Sequence, residues 1–562
     1  MLPNRIVHYD VESTGTDKQM DQILQLAYVT TDANLNLVEG GTGEFIARMR
    51  PDVIPHPMAF LTHRIDPQRL LEEGMTEYEL LTHARRVFMA MGSTCISGYN
   101  TISFDDEMMR HSLFRNMRDA YDWSWKEGNF RVDIYKLVQM TYAYCPEILT
   151  WPAGDDGEDS LKLDRLAPAN GVTGMQAHDA LSDVHATIAV ARKIRDANPK
   201  LWAYFLSLAD KNYTTSLMSK REPLLVTDAI LGKENRMTTL VYPVCTDALV
   251  STKFLALDLR EDPSAVLSMS PEEIRHYAFT KREELPEHSP TIPVVSVATN
   301  KQPLLVETSK MLTHQLADRL NLDLDACARH REMIEKDVEF RARLREAFTS
   351  DLPNPVNPAR TLYTGGFADR KERSKMDGLH IRISAEDATP RLFGESAFAL
   401  AASLKEAERK RFFPLILRTK MAERIRDYLK AEQLAPSEAA ELAEYTLYLQ
   451  QVLAGGFDHK DRSLADFRQE ANLARLERVT TEEDEALLCS LESHMGRVEQ
   501  LVGHLIDRIR QPAFAALLQS AYQDEEEVRA LMSPQCRDLA GIQPSPQRQP
   551  QPRGEPEASH TP

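Results

Sequence analysis

Asp10, Glu12, Asp105, His178 and Asp183 have the types and spacing for hydrolytic chemistry. Asp10 and Glu12 lie two apart in RIVHYDVES, where Ile6, His8 and Asp10 alternate with Val7, Tyr9 and Val11. This alternation predicts a strand, and side chains at i and i+2 of a strand share a face. Two carboxylates packed together at the end of an apolar strand are costly without a cation between them. Asp105 follows a Gly-bearing turn in GYNTISFDDE, at the mouth of the expected sheet. His178 precedes a helical stretch and Asp183 lies in its first turns, flanked by Leu181 and Val184. An acid bordering an apolar stripe is uncommon without a partner.

Each segment alone has a plainer reading. Asp10 and Glu12 could be exposed acids at a strand end, Asp105 a helix cap, and His178 a surface residue. His185 lacks comparable acid spacing. Together, however, D-x-E, D and H-x4-D supply hard oxygen ligands suited to magnesium or manganese. Two such ions about 3.5–4 Å apart stabilise the attacking and leaving oxygens of a phosphodiester. A histidine of near-neutral pKa can take the proton of the attacking water.

The elements that must position these groups are readable in outline. Strands are expected at the start of the chain, at Ile23–Val29 and at Gly43–Met49, with a turn at Asp32-Ala33-Asn34, giving an antiparallel meander. A helix is expected over residues 66–92, a strand at Thr94–Ser97, and helices at Asp105–Asn116, Val132–Tyr144 and Asp179–Ile194. Beyond a boundary near 200, Thr238–Val244, Phe254–Leu259 and Thr291–Val297 read as strands, with helical pieces such as Pro271–Tyr277. From about residue 358 the pattern is helical, rich in Ala, Leu, Glu and Arg. The final QPSPQRQPQPRGEPEASHTP nearly lacks apolar side chains and is expected to be disordered.

The 562 residues suggest about three domains. A net charge of −18 argues mildly against a non-specific nucleic-acid binder. Charge is uneven, though: Lys405–Lys430 holds nine Lys or Arg against four Asp or Glu, a candidate DNA-tracking face or simply a solvated helix. The six cysteines form no CxxC pair, and apolar runs such as Ala397–Ala402 are far too short to span a membrane. Both features fit a cytoplasmic protein with no membrane association. All four tryptophans lie within the first 202 residues, as core packing or as stacking platforms for bases.

The segments GYNTISFDDE, RNMRDAYDWSW, DDGEDSLKLDRLAPANGV and AHDALSDVHATIA resemble those of the bacterial exonuclease I family, among the DEDDh exonucleases. The resemblance continues through the later domains. It implies an α/β RNase H-like exonuclease domain (1–201), an SH3-like β-rich domain with helical insertions (202–352) and an all-α helical domain (353–533) closing a C-shaped clamp around one strand. A Pro/Gln-rich tail (534–562) would follow, disordered. By the same resemblance, Asp10, Glu12, Asp105 and Asp183 hold two Mg2+ ions, for which Mn2+ could substitute, and His178 is the general base. Asp105, rather than Asp106, falls on the family's third acid.

The implied activity is processive 3′→5′ degradation of single-stranded DNA to 5′-mononucleotides, in repair and recombination, by a monomer. The implied partner is the C-terminal tail of the single-stranded DNA-binding protein, whose docking residues are not matched. Ser13 stands where the family has Thr, leaving a hydroxyl for the 3′ end, and Asn100 is a candidate substrate contact. Lys162 replaces an Arg, keeping the charge but losing the bidentate fork for phosphate. Thr62-His63-Arg64-Ile65 lacks a Gly that follows the Thr in a related enzyme. Competing readings are an RNA 3′-end trimming exoribonuclease, because sugar choice depends on pocket shape and 2′-hydroxyl contacts, and an inactive single-strand-binding adaptor.

Overall fold

A computed structural model describes residues 3–90, 92–174, 179–349, 355–366, 369–382, 389–458 and 461–542. Residues up to 377, with 452–496, form one compact unit; residues 378–451 and those from 497 onward form another.

The first unit is built on a five-stranded sheet ordered β3-β2-β1-β4-β5: β1 (Arg5–Ser13), β2 (Ile23–Asp32), β3 (Leu37–Ile46), β4 (Thr94–Gly98) and β5 (Phe130–Asp133). The first three strands are the expected antiparallel meander, and β4 and β5 add in parallel beside β1. The helices are α1 (Pro57–His63), α2 (Pro67–Glu73), α3 (Glu77–Phe88), α4 (Asp105–Arg115), α5 (Ile134–Tyr144), α6 (Leu163–Ala169) and α7 (Ala180–Ala197). Val7, Tyr9 and Val11 of β1 pack into one core with Leu80, Phe88, Met108 and Trp123. Ile6, on the opposite face, joins Val184, Ile188 and Ala191 of α7 in a second core. The period-2 alternation of β1 therefore separates its two supporting layers.

α8 (Pro199–Ser207) and α9 (Lys211–Ser219) lead into a second sheet, antiparallel throughout and ordered β10-β6-β7-β8-β9. Its strands are β6 (Leu224–Thr227), β7 (Thr238–Thr246), β8 (Lys253–Asp258), β9 (Val294–Ala298) and β10 (Leu304–Glu307). Leu225, Val241 and Leu255 belong to the same core as α7, so this sheet is packed continuously with the first domain.

Several elements differ from expectation. β3 lies at Leu37–Ile46 rather than 43–49, because pairing with β2 fixes an edge strand despite its three glycines. Such a strand is held by its partner's backbone more than by its own propensity. The helix expected over 66–92 is two, α2 and α3. The chain breaks at Gly74, where a Cβ would meet Leu70 O at 2.3 Å and Arg48 N at 2.4 Å, and restarts at a Thr76–Glu79 capping box. The expected helix at 132–144 begins two residues later, since Asp133 ends β5 and caps α5. The strands β6 and β10, each only four residues long, are not among the expected ones, because so short a run shows no period.

In the second unit, Glu406–Lys430 is one helix. Its basic residues do not form one solvated face: Arg418 and Lys420 are buried. Lys420 pairs with Glu441 at 2.8 Å, and Arg418 lies over the Tyr448 ring at 4.6 Å. Lys405, Lys410, Arg426 and Lys430 remain exposed. The sequence boundary of the tail at 534 is also too early, because Pro534–Leu539 is a helix with Cys536 buried, capped by Ser533. The final twenty residues lie outside the described ones.

Candidate metal centre

β1 runs past the end of its parallel neighbour. Its pairing with β4 stops at His8↔Ser97, whereas β2 accompanies it to Ser13. The overhanging stretch carries Asp10 and Glu12 on the face packed by α7, whose first turns bring Asp183 to them. Ligand atoms of Asp10, Glu12 and Asp183 lie within 4.8 Å of one another. α7 starts there because Asp179 caps it, accepting the Ser182 N–H at 3.1 Å.

Asp105 comes from the opposite layer. The overhang leaves the Val11 N–H without a strand partner on the β4 side, and Asp105 Oδ1 accepts it at 3.0 Å. The neighbouring Asp106 is engaged elsewhere: it accepts from Tyr9 Oη at 2.7 Å and pairs with Arg131. Adjacent acids of identical type thus have different surroundings. One borders the cluster and the other is tied into the core.

The electrostatics separate this group from ordinary buried carboxylates. Burial pushes Asp10 well above its usual range, and Asp105, Glu12, Asp183 and Asp179 push it further. Burial and then Asp183, Asp105 and Asp179 raise Glu12 to about 8. Burial raises Asp105 to about 8 against the lowering effect of the Val11 N–H. The neighbouring charges that act most strongly on Asp10 and Glu12 are all carboxylates. Converging hard oxygen donors whose mutual repulsion only a cation relieves fit one or more divalent metal ions.

His178 lies outside the described residues. Ser13 is buried where β1 bulges, its Oγ donating to Gly15 O at 2.7 Å. Asn100 is exposed, with φ of +62°, and its N–H donates to Asp133 Oδ1 at 2.7 Å. Lys162 is exposed at the start of α6, next to Leu161, whose carbonyl accepts from Tyr99 Oη. Arg64, in the segment lacking the Gly of a related enzyme, adopts φ of +59° and pairs with Asp484 at 2.9 Å. Among the tryptophans, Trp123 and Trp202 are core residues, Trp151 is half-buried, and Trp125 is exposed. Sequence reasoning missed Asp133, which holds the loop before Asp105; its only signal was an acid preceding a helix. The sequence places Asp179 only at the start of an expected helix, although its charge reaches Asp10 and Glu12.

A mixed sheet whose central strand carries clustered carboxylates at its C-terminal end, with helices on both faces, defines an RNase H-like nuclease. Known proteins agree. Residues 7–191 match the exonuclease family model, and residues 210–350 match the exonuclease I SH3-like domain model. The exodeoxyribonuclease I of Haemophilus influenzae is 33% identical over 366 residues, 64% of this chain and 77% of the relative. The crystal structure of Escherichia coli exonuclease I with a dA16 oligonucleotide superposes with a TM-score of 0.76 at 26% identity, covering 88% of this chain and 100% of the other. A crystal structure of SSB/exonuclease I with an inhibitor gives 0.73 at 25%, covering 88% and 100%. The chain belongs to the exodeoxyribonuclease I family, with an RNase H-like exonuclease domain, an SH3-like domain and a helical C-terminal region.

Proposed function

We propose that this chain degrades single-stranded DNA processively from its 3′ end, releasing 5′-mononucleotides. The observation that carries the reading is the carboxylate cluster of Asp10, Glu12 and Asp183, bordered by Asp105, in a chain matched by the exonuclease family model and by the exonuclease I SH3-like domain model. The SH3-like match favours DNA over RNA, because the catalytic residues alone do not distinguish the sugars.

In this reading Asp10, Glu12, Asp105 and Asp183 hold two Mg2+ ions, with Mn2+ able to substitute. When bound, the ions supply concentrated positive charge against the charge that gathers on the phosphate oxygens as the ester breaks. His178 takes the proton of the attacking water. The water oxygen bonds to phosphorus, the bond from phosphorus to O3′ breaks, and a new 3′-hydroxyl remains on the shortened strand. Ser13 and Asn100 contact the terminal nucleotide, and Lys162 contacts a phosphate. The working division is an exonuclease domain at 1–201, an SH3-like domain at 202–352, and a helical domain that starts at 353 and includes the helix Pro534–Leu539. The protein acts as a cytoplasmic monomer in DNA repair and recombination. It docks on the C-terminal tail of the single-stranded DNA-binding protein, a partnership that the SSB/exonuclease I structure supports.

The test uses 5′-labelled single-stranded DNA, matched RNA and blunt duplex DNA, each with Mg2+ or EDTA, and compares wild type with Asp105→Asn. Mg2+-dependent shortening of the single-stranded DNA from its 3′ end, lost in the variant, is expected. Preferential loss of RNA would transfer the protein to the ribonucleases, and tight binding without degradation would make it an adaptor.

A further inference from the structure

The turn between β9 and β10 touches the first domain at two points, the end of β5 and the first turn of α4. Gln302 is buried, and its Oε1 accepts the Asp133 N–H at 2.9 Å while its Nε2 donates to Phe205 O at 3.3 Å. Its φ of +47° is left-handed, a conformation that costs a residue with a Cβ roughly 1–2 kcal/mol and persists where the surroundings hold it. Asp133 ends β5, the edge strand, so no further strand could take its N–H. The Asp133 carboxylate in turn accepts the N–H groups of Asn100 at 2.7 Å and Ile102 at 3.1 Å. Those residues open the loop that delivers Asp105. Beside Gln302, Lys301 Nζ lies 3.4 Å from Glu107 Oε1, two residues beyond Asp105, and Tyr363 Oη also donates to Glu107.

We propose that Gln302 and Lys301 are positioning residues, through which the second sheet holds the segment 100–107 and sets the place of Asp105. The inference rests on the proposed function only in taking Asp105 as a metal ligand. A buried N–H deprived of its acceptor costs about 1–3 kcal/mol, and the end of β5 would shift to find another. That shift passes to Asn100 and Ile102 through the Asp133 carboxylate, and so to Asp105. Partners of ligating groups typically change metal affinity or activity about 10–100-fold.

The test uses the full chain with Gln302→Met, which keeps the side-chain volume but removes the acceptor, and Lys301→Ala, at a half-exposed side chain. Three quantities are measured: Mn2+ binding by calorimetry without DNA, kcat and KM on a single-stranded oligonucleotide in Mg2+, and melting temperature. For Gln302→Met, Mn2+ affinity and kcat should each fall about tenfold while KM stays within about twofold. For Lys301→Ala, Mn2+ affinity should fall about twofold. Combining Gln302→Met with Asp133→Asn should cost little beyond Asp133→Asn alone, because the effect passes through Asp133. A lowered melting temperature with unchanged Mn2+ binding and kcat would overturn the proposal. If Gln302→Met fails to fold, unchanged Mn2+ affinity in Lys301→Ala overturns it instead. A wild type that binds Mn2+ but spares single-stranded DNA defeats the substrate reading, while the Mn2+ comparison still decides this one.

Discussion

Two buried acidic regions of the first compact unit have opposite electrostatics. Glu77, at the start of α3, receives Arg50 at 2.9 Å, Arg115 at 2.5 Å and Asn116 at 2.9 Å. Burial pushes its carboxyl up, but Arg115 and Arg50 outweigh that and hold it below its ordinary value. At Asp10, Glu12 and Asp105, burial and neighbouring carboxylates act mainly in one direction, upward. A buried acid whose charge serves the fold brings its own cations. One whose charge serves chemistry is left for a cation supplied from outside.

The largest effects should come from removing the acids of the second kind. Asp10→Ala or Asp183→Ala should lower turnover by about a thousandfold or more, with single-strand affinity largely kept, because a ligand of the charge-stabilising ions is lost. Steady-state rates and filter binding measure both. His178→Ala should slow turnover yet leave Mn2+ affinity nearly intact.

Removing an acid of the first kind should act on stability. Glu77→Ala removes the carboxylate that the buried Arg115 and Arg50 share, Arg50 keeping its pair with Asp52 at 2.8 Å, which should cost about 3–5 kcal/mol in urea unfolding while the folded fraction keeps its specific activity. Equal loss of activity and stability in both kinds of variant would erase the distinction.

Asp105 and Asp106 sharpen the comparison to one residue. Asp106→Ala breaks the contacts with Tyr9 and Arg131 and should lower stability by about 1–3 kcal/mol, with turnover reduced far less than in Asp105→Ala. A dead Asp106→Ala beside an active Asp105→Ala would reverse the assignment.

The smallest effect is the pH dependence of stability. Glu77 has a lowered folded pKa, so its contribution is present above its ordinary 4.5 and is lost as pH falls through the folded value. Glu12 is raised, so its penalty is absent below 4.5 and fully present above about 8. Metal-free protein should therefore melt higher at pH 6 than at pH 8, and added Mg2+ should raise the melting temperature more at pH 8. A melting temperature independent of both pH and Mg2+ across that window would contradict the raised pKa of the cluster.

Much of this arrangement was legible in the chain. The alternation of RIVHYDVES placed Asp10 and Glu12 on one face, and the apolar period around Leu181 and Val184 marked the helix that carries Asp183. Local pattern is enough where a segment's own side chains choose its conformation and facing. It failed at β5, β6 and β10, four residues each, too short for a period to emerge. It also failed over Arg418 and Lys420, whose charges looked solvated but are buried against Tyr448 and Glu441.

The sequence by itself determined the meander, the helix that carries Asp183 and the order of the acids, because strand and helix periodicities are properties of contiguous residues. Only the tertiary structure decided that β1 outruns β4, that Asp105 rather than Asp106 takes the Val11 N–H, and that Gln302 supports Asp133 from 169 positions away. Each of these depends on which backbone groups are left without partners once the strands are paired, and that is fixed by packing between distant segments.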